Sequence, residues 1–229
     1  MITYSIETDE DPWDPREWDN LGTMVCWHNR YTLGDEQPKS DPETWRIELA
    51  MKYEPDLDLK IEKLSNSWNS LGKDYQERSI AHETKLKRLV DTVLDKHVLM
   101  LPLYLYDHSG ITMSTSGFNC RWDSGKVGYI YADLEKFKKE FGWTQLSRQR
   151  KFYIATELTN EVKTYDQFLT GEVYRYTVQD DNGDCVDSCG GFYSREDAEA
   201  EAKSSVASQE KYAAEQVERA TFPVASMGV

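Results

Sequence analysis

No stretch of this chain is apolar for long enough to cross a bilayer. The longest apolar run, 98–106 (VLMLPLYLY), falls well short of the roughly 20 residues that a spanning helix needs. The first residues, ITYSI followed by acids, lack the basic and apolar regions of a secretory leader. The expected location is therefore the cytoplasm, with no membrane partner. Cysteine is scarce. Four residues, Cys26, Cys120, Cys185 and Cys189, are too few in 229 to staple a scaffold, and without export they are expected as reduced thiols. Neither G-x-G-x-x-G nor G-x-x-x-x-G-K-[ST] occurs, so the phosphate-cradling nucleotide folds have no support and no cofactor is expected. Positive charge is also in short supply. The 27 Lys and Arg face 41 Asp and Glu, for a net charge of −14. Such a field repels nucleic-acid backbones, so direct nucleic-acid binding is not expected, and it speeds capture of partners with basic surfaces.

What is present argues for a folded chain. Seven Trp and fourteen Tyr supply the aromatic material for a core that disordered chains lack. The charge is uneven. Glu7, Asp9, Glu10, Asp11, Asp14, Glu17 and Asp19 crowd one segment opposed only by Arg16, and Glu196, Asp197, Glu199 and Glu201 form a second acidic group. Between them, 126–151 is locally basic through Lys136, Lys138, Lys139, Arg148, Arg150 and Lys151.

Periodicity gives the elements. Residues 2–6 alternate as a strand, and the prolines of 11–15 break regular structure before a loop, rich in Trp and Tyr, that runs to Gly34. Asp41-Pro42-Glu43 starts a helix with Trp45, Leu49 and Tyr53 on one face, ended by Pro55. The signal over 57–72 is weak and polar. A longer helix carries Leu86, Leu89, Val90, Val93 and His97. Residues 39–96 thus read as a helical insertion in a single α+β domain spanning 1–229. Then come a buried strand at 98–106, with Pro102 at an edge or bulge, a partner strand at 111–115 and a strand around Val127, Tyr129 and Tyr131. A helix capped by Asp133 stops at Gly142, and a second, within 147–169, has Phe152, Ala155, Thr159 and Val162 on one side. The clearest feature is a hairpin, 172–179 returning at 185–189 through a two-residue Asn182-Gly183 turn. The last helix continues a stripe of Ala198, Ala202, Val206, Ala213, Val217 and Ala220 until Pro223. The expected architecture is α+β, an antiparallel or mixed sheet with helices packed on one face.

Two loops gather the polar residues from which a pocket would be built: Trp18, Asp19 and His28 in the first, and Asp107, His108, Ser109, Thr112 and Cys120 in the second. His108 between Asp107 and Ser109 offers acid, base and hydroxyl. Neighbours on a turn rarely face one another, however, and triads are assembled from separate segments, so a side-chain-stabilised turn is the favoured reading. Cys185-x-x-x-Cys189 and Cys26-x-His28 are zinc-type ligands, yet on a strand the two cysteines of the first pair lie about 13 Å apart, at 3.3 Å per residue. The Asp180–Asp184 run opens like a calcium loop but has Cys185 in place of its glycine and Gly191 in place of its glutamate. No metal is expected. The aromatics sit largely among acids, whereas stacking platforms for nucleic acid come with a basic groove.

Three runs, 14–24 (DPREWDNLGTM), 101–113 (LPLYLYDHSGITM) and 164–171 (TYDQFLTG), resemble a family of small acidic proteins encoded by phages and mobile elements. The resemblance leaves out 39–96 and carries no catalytic residue with it. What it implies is a setting in which small acidic proteins inhibit host defence by occupying surfaces that would hold nucleic acid. The expected function is accordingly an acidic interaction protein, a DNA mimic of the anti-restriction or anti-CRISPR type, acting in the host cytoplasm. Its partner is a basic host protein such as a nuclease or CRISPR effector, met through Glu7, Asp9, Glu10, Asp11, Asp14, Glu17 and Asp19. The alternative is a small-ligand-binding protein or hydrolase with a pocket around His108 and His28.

Overall fold

One strand must serve two apolar layers at once, and its sequence alternates to do so. In Ser124–Asp133, called β5, Tyr129 and Tyr131 point to one face and Ile130 and Ala132 to the other, as period-two geometry requires. A computed structural model describes residues 2–120 and 122–221, apart from the side chains of 220 and 221. The described elements, in order, are β1 (Thr3–Thr8), β2 (Thr23–Cys26), α1 (Pro42–Tyr53), α2 (Leu57–Asn66), α3 (Tyr75–His97), β3 (Val98–Asp107), β4 (Ile111–Ser114), β5, α4 (Leu134–Glu140), α5 (Arg148–Thr170), β6 (Tyr174–Gln179), β7 (Cys185–Phe192) and α6 (Arg195–Thr221). The fold is α+β. The chain divides into two compact units: unit 1 is Met1–Glu17 with Thr164–Val229, and unit 2 is Trp18–Lys163. The boundary falls within α5.

Unit 2 is built on a four-stranded antiparallel sheet ordered β2-β5-β3-β4. Helices α1, α2 and α3 fill the stretch expected to be helical and cover one face. There Val25, Trp45, Leu49, Ala50, Leu57, Val90, Val93, Leu94, Val98 and Tyr129 form a dry cluster. Trp27 meets Trp45 edge-on at 5.4 Å and Tyr129 at 6.3 Å, and such aromatic pairs contribute roughly 0.5–1.5 kcal/mol each beyond burial. Ile130 faces the opposite side, where Leu158 of α5 reaches it beside Gly22. Glu161 of the same helix accepts hydrogen bonds from the Leu21 and Gly22 amides at 2.9 and 3.1 Å. Asp41 caps α1 as expected, accepting from the amides of Glu43 and Thr44. Asp133 caps α4 with one carboxylate oxygen and accepts the Tyr53 hydroxyl on the other at 2.9 Å, which ties the end of α1 to the start of α4.

Unit 1 is a three-stranded antiparallel sheet, β1-β6-β7, with α6 against one face. Ala198 and Ala202 are fully buried there, with Val206 beside them. Small side chains bring the helix close to Tyr176 and Val178, so the expected stripe packs in its first half. Ala213 and Val217 farther along are exposed, while Pro223 lies outside the described residues.

Several local expectations change. The loop to Gly34 contains β2, whose four residues are short but almost wholly buried. The weak stretch after Leu57 forms α2, held by Leu57 and Leu64 against its neighbours. One expectation holds, Pro102 at an edge or bulge: β4 pairs with β3 only over Tyr104–Asp107, and the register shift against β5 adjoins the proline at Leu103/Tyr104. On α5 the buried stripe is Ile154, Leu158, Val162 and Tyr165, and Phe152 is 74% exposed. The β6–β7 turn has three residues in place of two. Asp180 and Asp184 close it, Gly183 takes φ +86°, and the Asp180 carboxylate accepts from the Asn182 and Asp184 amides at 2.9 and 3.0 Å. That side-chain capture of two amides favours the turn with a left-handed glycine at its end.

Two outcomes follow from this packing. A Cβ at Gly128 would sit 2.0 Å from the Val25 carbonyl oxygen of the adjoining strand. Gly128→Ala should therefore cost about 1–3 kcal/mol or more, lowering Tm by roughly 2–4 °C per kcal/mol in a chain of this size. Thermal unfolding by circular dichroism measures it, and an unchanged Tm would contradict the close strand approach. The second concerns pH. Amide donors from Asp184 and Asn182 hold the Asp180 carboxyl below its ordinary value of 3.8. A depressed carboxyl stabilises the fold fully above that value and loses the contribution as pH falls through its lower folded-state value. The Tm difference between the wild type and Asp180→Asn should therefore be constant from pH 7 to 5 and shrink below about pH 3.8. A gap that widens in acid would refute the assignment.

Candidate functional site

Asp107 ends β3, and the antiparallel pairing that follows it fixes a cleft beside the sheet. Its backbone N–H donates to the Asp123 carbonyl at 2.8 Å, and its carboxylate receives the Tyr31 hydroxyl at 3.3 Å and faces Arg30 at 3.7 Å. His28 stacks on Tyr31 at 4.9 Å. The His28 Nδ1 accepts the Arg30 and Tyr31 amides at 3.2 and 3.1 Å, leaving Nε2 to carry the ring proton. The cleft measures about 740 Å³ and also takes in Lys39, Trp122, Asp123 and Lys126, a size within the usual range for ligand sites. Trp122 is 95% exposed at this cleft.

Of the residues expected to form a pocket, His28 and Asp107 line this cleft. His108 and Cys120 come together through a residue outside that set. Asp123 Oδ2 lies 3.3 Å from His108 Nδ1 and accepts from Cys120 Sγ at 3.6 Å. Both groups meet the same carboxylate oxygen, so the arrangement lacks the in-line nucleophile, base and orienter of a triad. Ser109 sits in the turn at φ +59°, its conformation set by the reversal between β3 and β4. Thr112 pairs with Tyr106 within the sheet. Trp18 and Asp19 are exposed and outside the cleft. Those four do not converge on it, because strand pairing and the turn direct them elsewhere. Asp123 and Trp122 lay in the polar run after Cys120, but nothing in their spacing distinguished them. Lys126 is held by its own strand, with its Nζ 3.8 Å from the Tyr129 ring centre.

The acidic cluster also divides. Glu7, Asp9, Glu10, Asp11, Asp14 and Glu17 belong to unit 1, and Asp19 to unit 2. Two of the six are structural. Asp9 accepts the Gly191 amide at 2.9 Å, which fixes the β7 end, and Asp14 accepts the Arg16 amide at 2.7 Å. Burial, then the charges of Asp14 and Asp9, push the Tyr193 hydroxyl upward in pKa. Glu7, Glu10, Asp11 and Glu17 are exposed, and Trp13 among them is 79% exposed. The larger signal is in the totals. Unit 1 holds 19 of the 41 acidic residues and 6 of the 27 basic ones, a charge of −13, and unit 2 holds 22 and 21, a charge of −1. Nearly all of the net charge sits in the smaller unit.

Among the described residues no group of three His, Cys, Asp or Glu is placed to hold a metal ion, and no helix is long and apolar enough to cross a membrane. No protein-family model, curated protein or solved structure matches the chain.

Thiol reactivity checks this geometry directly. Cys185 and Cys189 are exposed on β7, Cys120 is half-buried, and Cys26 is 1% exposed in the sheet. Ellman's reagent should titrate two thiols fast and a third slowly, with the fourth reacting only in denaturant. A fast fourth equivalent would contradict the burial of β2.

Proposed function

We propose that this chain is an acidic interaction protein whose unit 1 docks on a basic, nucleic-acid-binding surface of another protein and keeps nucleic acid off it. The partner class is a host nuclease, of the restriction or CRISPR-effector type. The sequence runs that resemble phage and mobile-element proteins set the context. The observation that carries this reading is the confinement of −13 of the −14 net charge to unit 1. A field of one sign on a small body raises encounter rates with a basic partner and repels acidic competitors. Trp13 adds a large apolar contact inside the acidic segment, the pairing of aromatic anchor and charged rim on which protein interfaces rely.

A second reading, a small-ligand site in unit 2, is favoured by the preorganised cleft at His28 and Asp107. Hydrolysis there has less support, since His108 and Cys120 share one Asp123 oxygen.

Cleavage assays with a panel of purified restriction nucleases and CRISPR effectors test the first reading. At least one member should be inhibited at about 50 mM salt and released as salt rises, because screening shortens to about 8 Å at 0.15 M and above. Glu7→Lys with Glu10→Lys and Asp11→Lys should weaken inhibition tenfold or more, and Trp13→Ala should do so without changing the salt slope. No inhibition across the panel at low salt, or inhibition indifferent to these changes, would sink the proposal.

A further inference from the structure

We propose that the α4–α5 face of unit 2 binds single-stranded nucleic acid, a second site distinct from the acidic unit. The inference rests on a local reversal of charge that coincides with exposed rings. Residues 134–151 carry six basic side chains and two acidic ones within a chain of net charge −14. Lys136, Lys139, Arg148 and Lys151 are exposed. Of the opposing acids, Glu135 is engaged by Lys138 at 2.8 Å, leaving Glu140 as the other carboxylate in the segment. Glu157, one turn beyond Tyr153, interacts with that residue's hydroxyl.

The rings form a connected platform. Phe141 stacks on buried Phe137 at 5.7 Å and on Trp143 at 5.0 Å, and Tyr153 meets both Phe141 and Trp143 edge-on. Arg150 lies over Trp143 at 5.0 Å and is anchored by donation to the Gln145 carbonyl at 2.6 Å. Phe141, Phe152 and Tyr153 are 37%, 74% and 40% exposed. On α5, Arg148 precedes Phe152 by four residues and Arg150 precedes Tyr153 by three, the two spacings that set helix side chains next to each other. Arg150 thus sits at the platform, over Trp143, and Arg148 is spaced to neighbour Phe152. Phe152 stays outside the buried stripe of its own helix, so packing within unit 2 does not account for it.

Cations that track phosphates together with rings on which bases stack are what sequence-tolerant single-strand sites require. Duplex DNA keeps its bases stacked on each other and offers those rings nothing. At a phosphate in contact with this face the nearest charges dominate, because salt screens interactions beyond about 10 Å at 0.1 M, so the local sign governs contact. Direct nucleic-acid binding was not expected from the total charge; the distribution reverses that expectation for this face.

Fluorescence anisotropy with the full chain and labelled (dT)20, (U)20 and a 20-base-pair duplex tests it. One or both single strands should bind more tightly than the duplex at 50 mM salt, the preference between (dT)20 and (U)20 distinguishing DNA from RNA. Affinity should fall on a log–log salt plot with a slope near −0.7 for each phosphate neutralised. Lys136→Glu with Arg148→Glu and Lys151→Glu should cost at least tenfold. Phe152→Ala should cost roughly tenfold with the slope unchanged, as expected for one stacked base, and both variants should melt at the wild-type temperature. Four results would overturn the proposal: no binding at 50 mM salt, equal duplex affinity, binding untouched by the charge changes, or Phe152→Ala without effect. Self-association abolished by the charge changes, with no oligonucleotide bound, would also overturn it, by assigning the face to the acidic unit of a second copy. The two readings use separate residues and separate assays, oligonucleotide binding here and nuclease inhibition there, so the failure of one is separable from that of the other.

Discussion

The alternation of β5 is the constraint on which unit 2 depends. Tyr129 and Tyr131 belong to the helical layer of α1–α3, and Ile130 belongs with Leu158 of α5 on the other side. A slip of one residue would exchange these sets and turn apolar side chains out of both layers. The neighbours hold the register. Gly128 lets the β2 backbone come close, and the shift at Leu103/Tyr104 lets β3 follow β5 past a proline.

Elements with strong local signals were legible in the sequence. Asp41 and Asp133 are caps because short carboxylates capture free amides, and both are where the residue pattern puts them. The hairpin was legible as a hairpin but not in its turn length, since Asp180 has two amides within reach and Asn182-Gly183 alone does not determine which turn closes. β2 escaped notice because four residues cannot establish a period. On α5 the set 152, 155, 159 and 162 also has helical spacing, and spacing alone does not choose between it and the set 154, 158, 162 and 165 that the fold buries.

The candidate site was partly legible for a related reason. Composition placed His28, Asp107, His108 and Cys120 in polar loops, and the fold does bring these loops side by side. Which atoms meet depended on Asp123, whose role comes from the pairing of β3 with β5 and leaves no trace in spacing. The acidic segment was legible as a cluster. That its charge belongs to one compact unit followed only from the chain's division, because the second half of that unit begins at residue 164.

That division has a consequence for how the chain is made. Unit 2 is continuous, so a ribosome delivers all of it in one stretch. β1 has no such luck, because its partner β6 is encoded far downstream, with Thr3 pairing to Gln179. At about 5–20 residues per second, the first strand waits on the order of ten seconds or more with unpaired edges while the middle of the protein assembles. Its polar, acid-flanked sequence suits that wait, since a charged strand in a crowded cell is a poor template for the wrong neighbour.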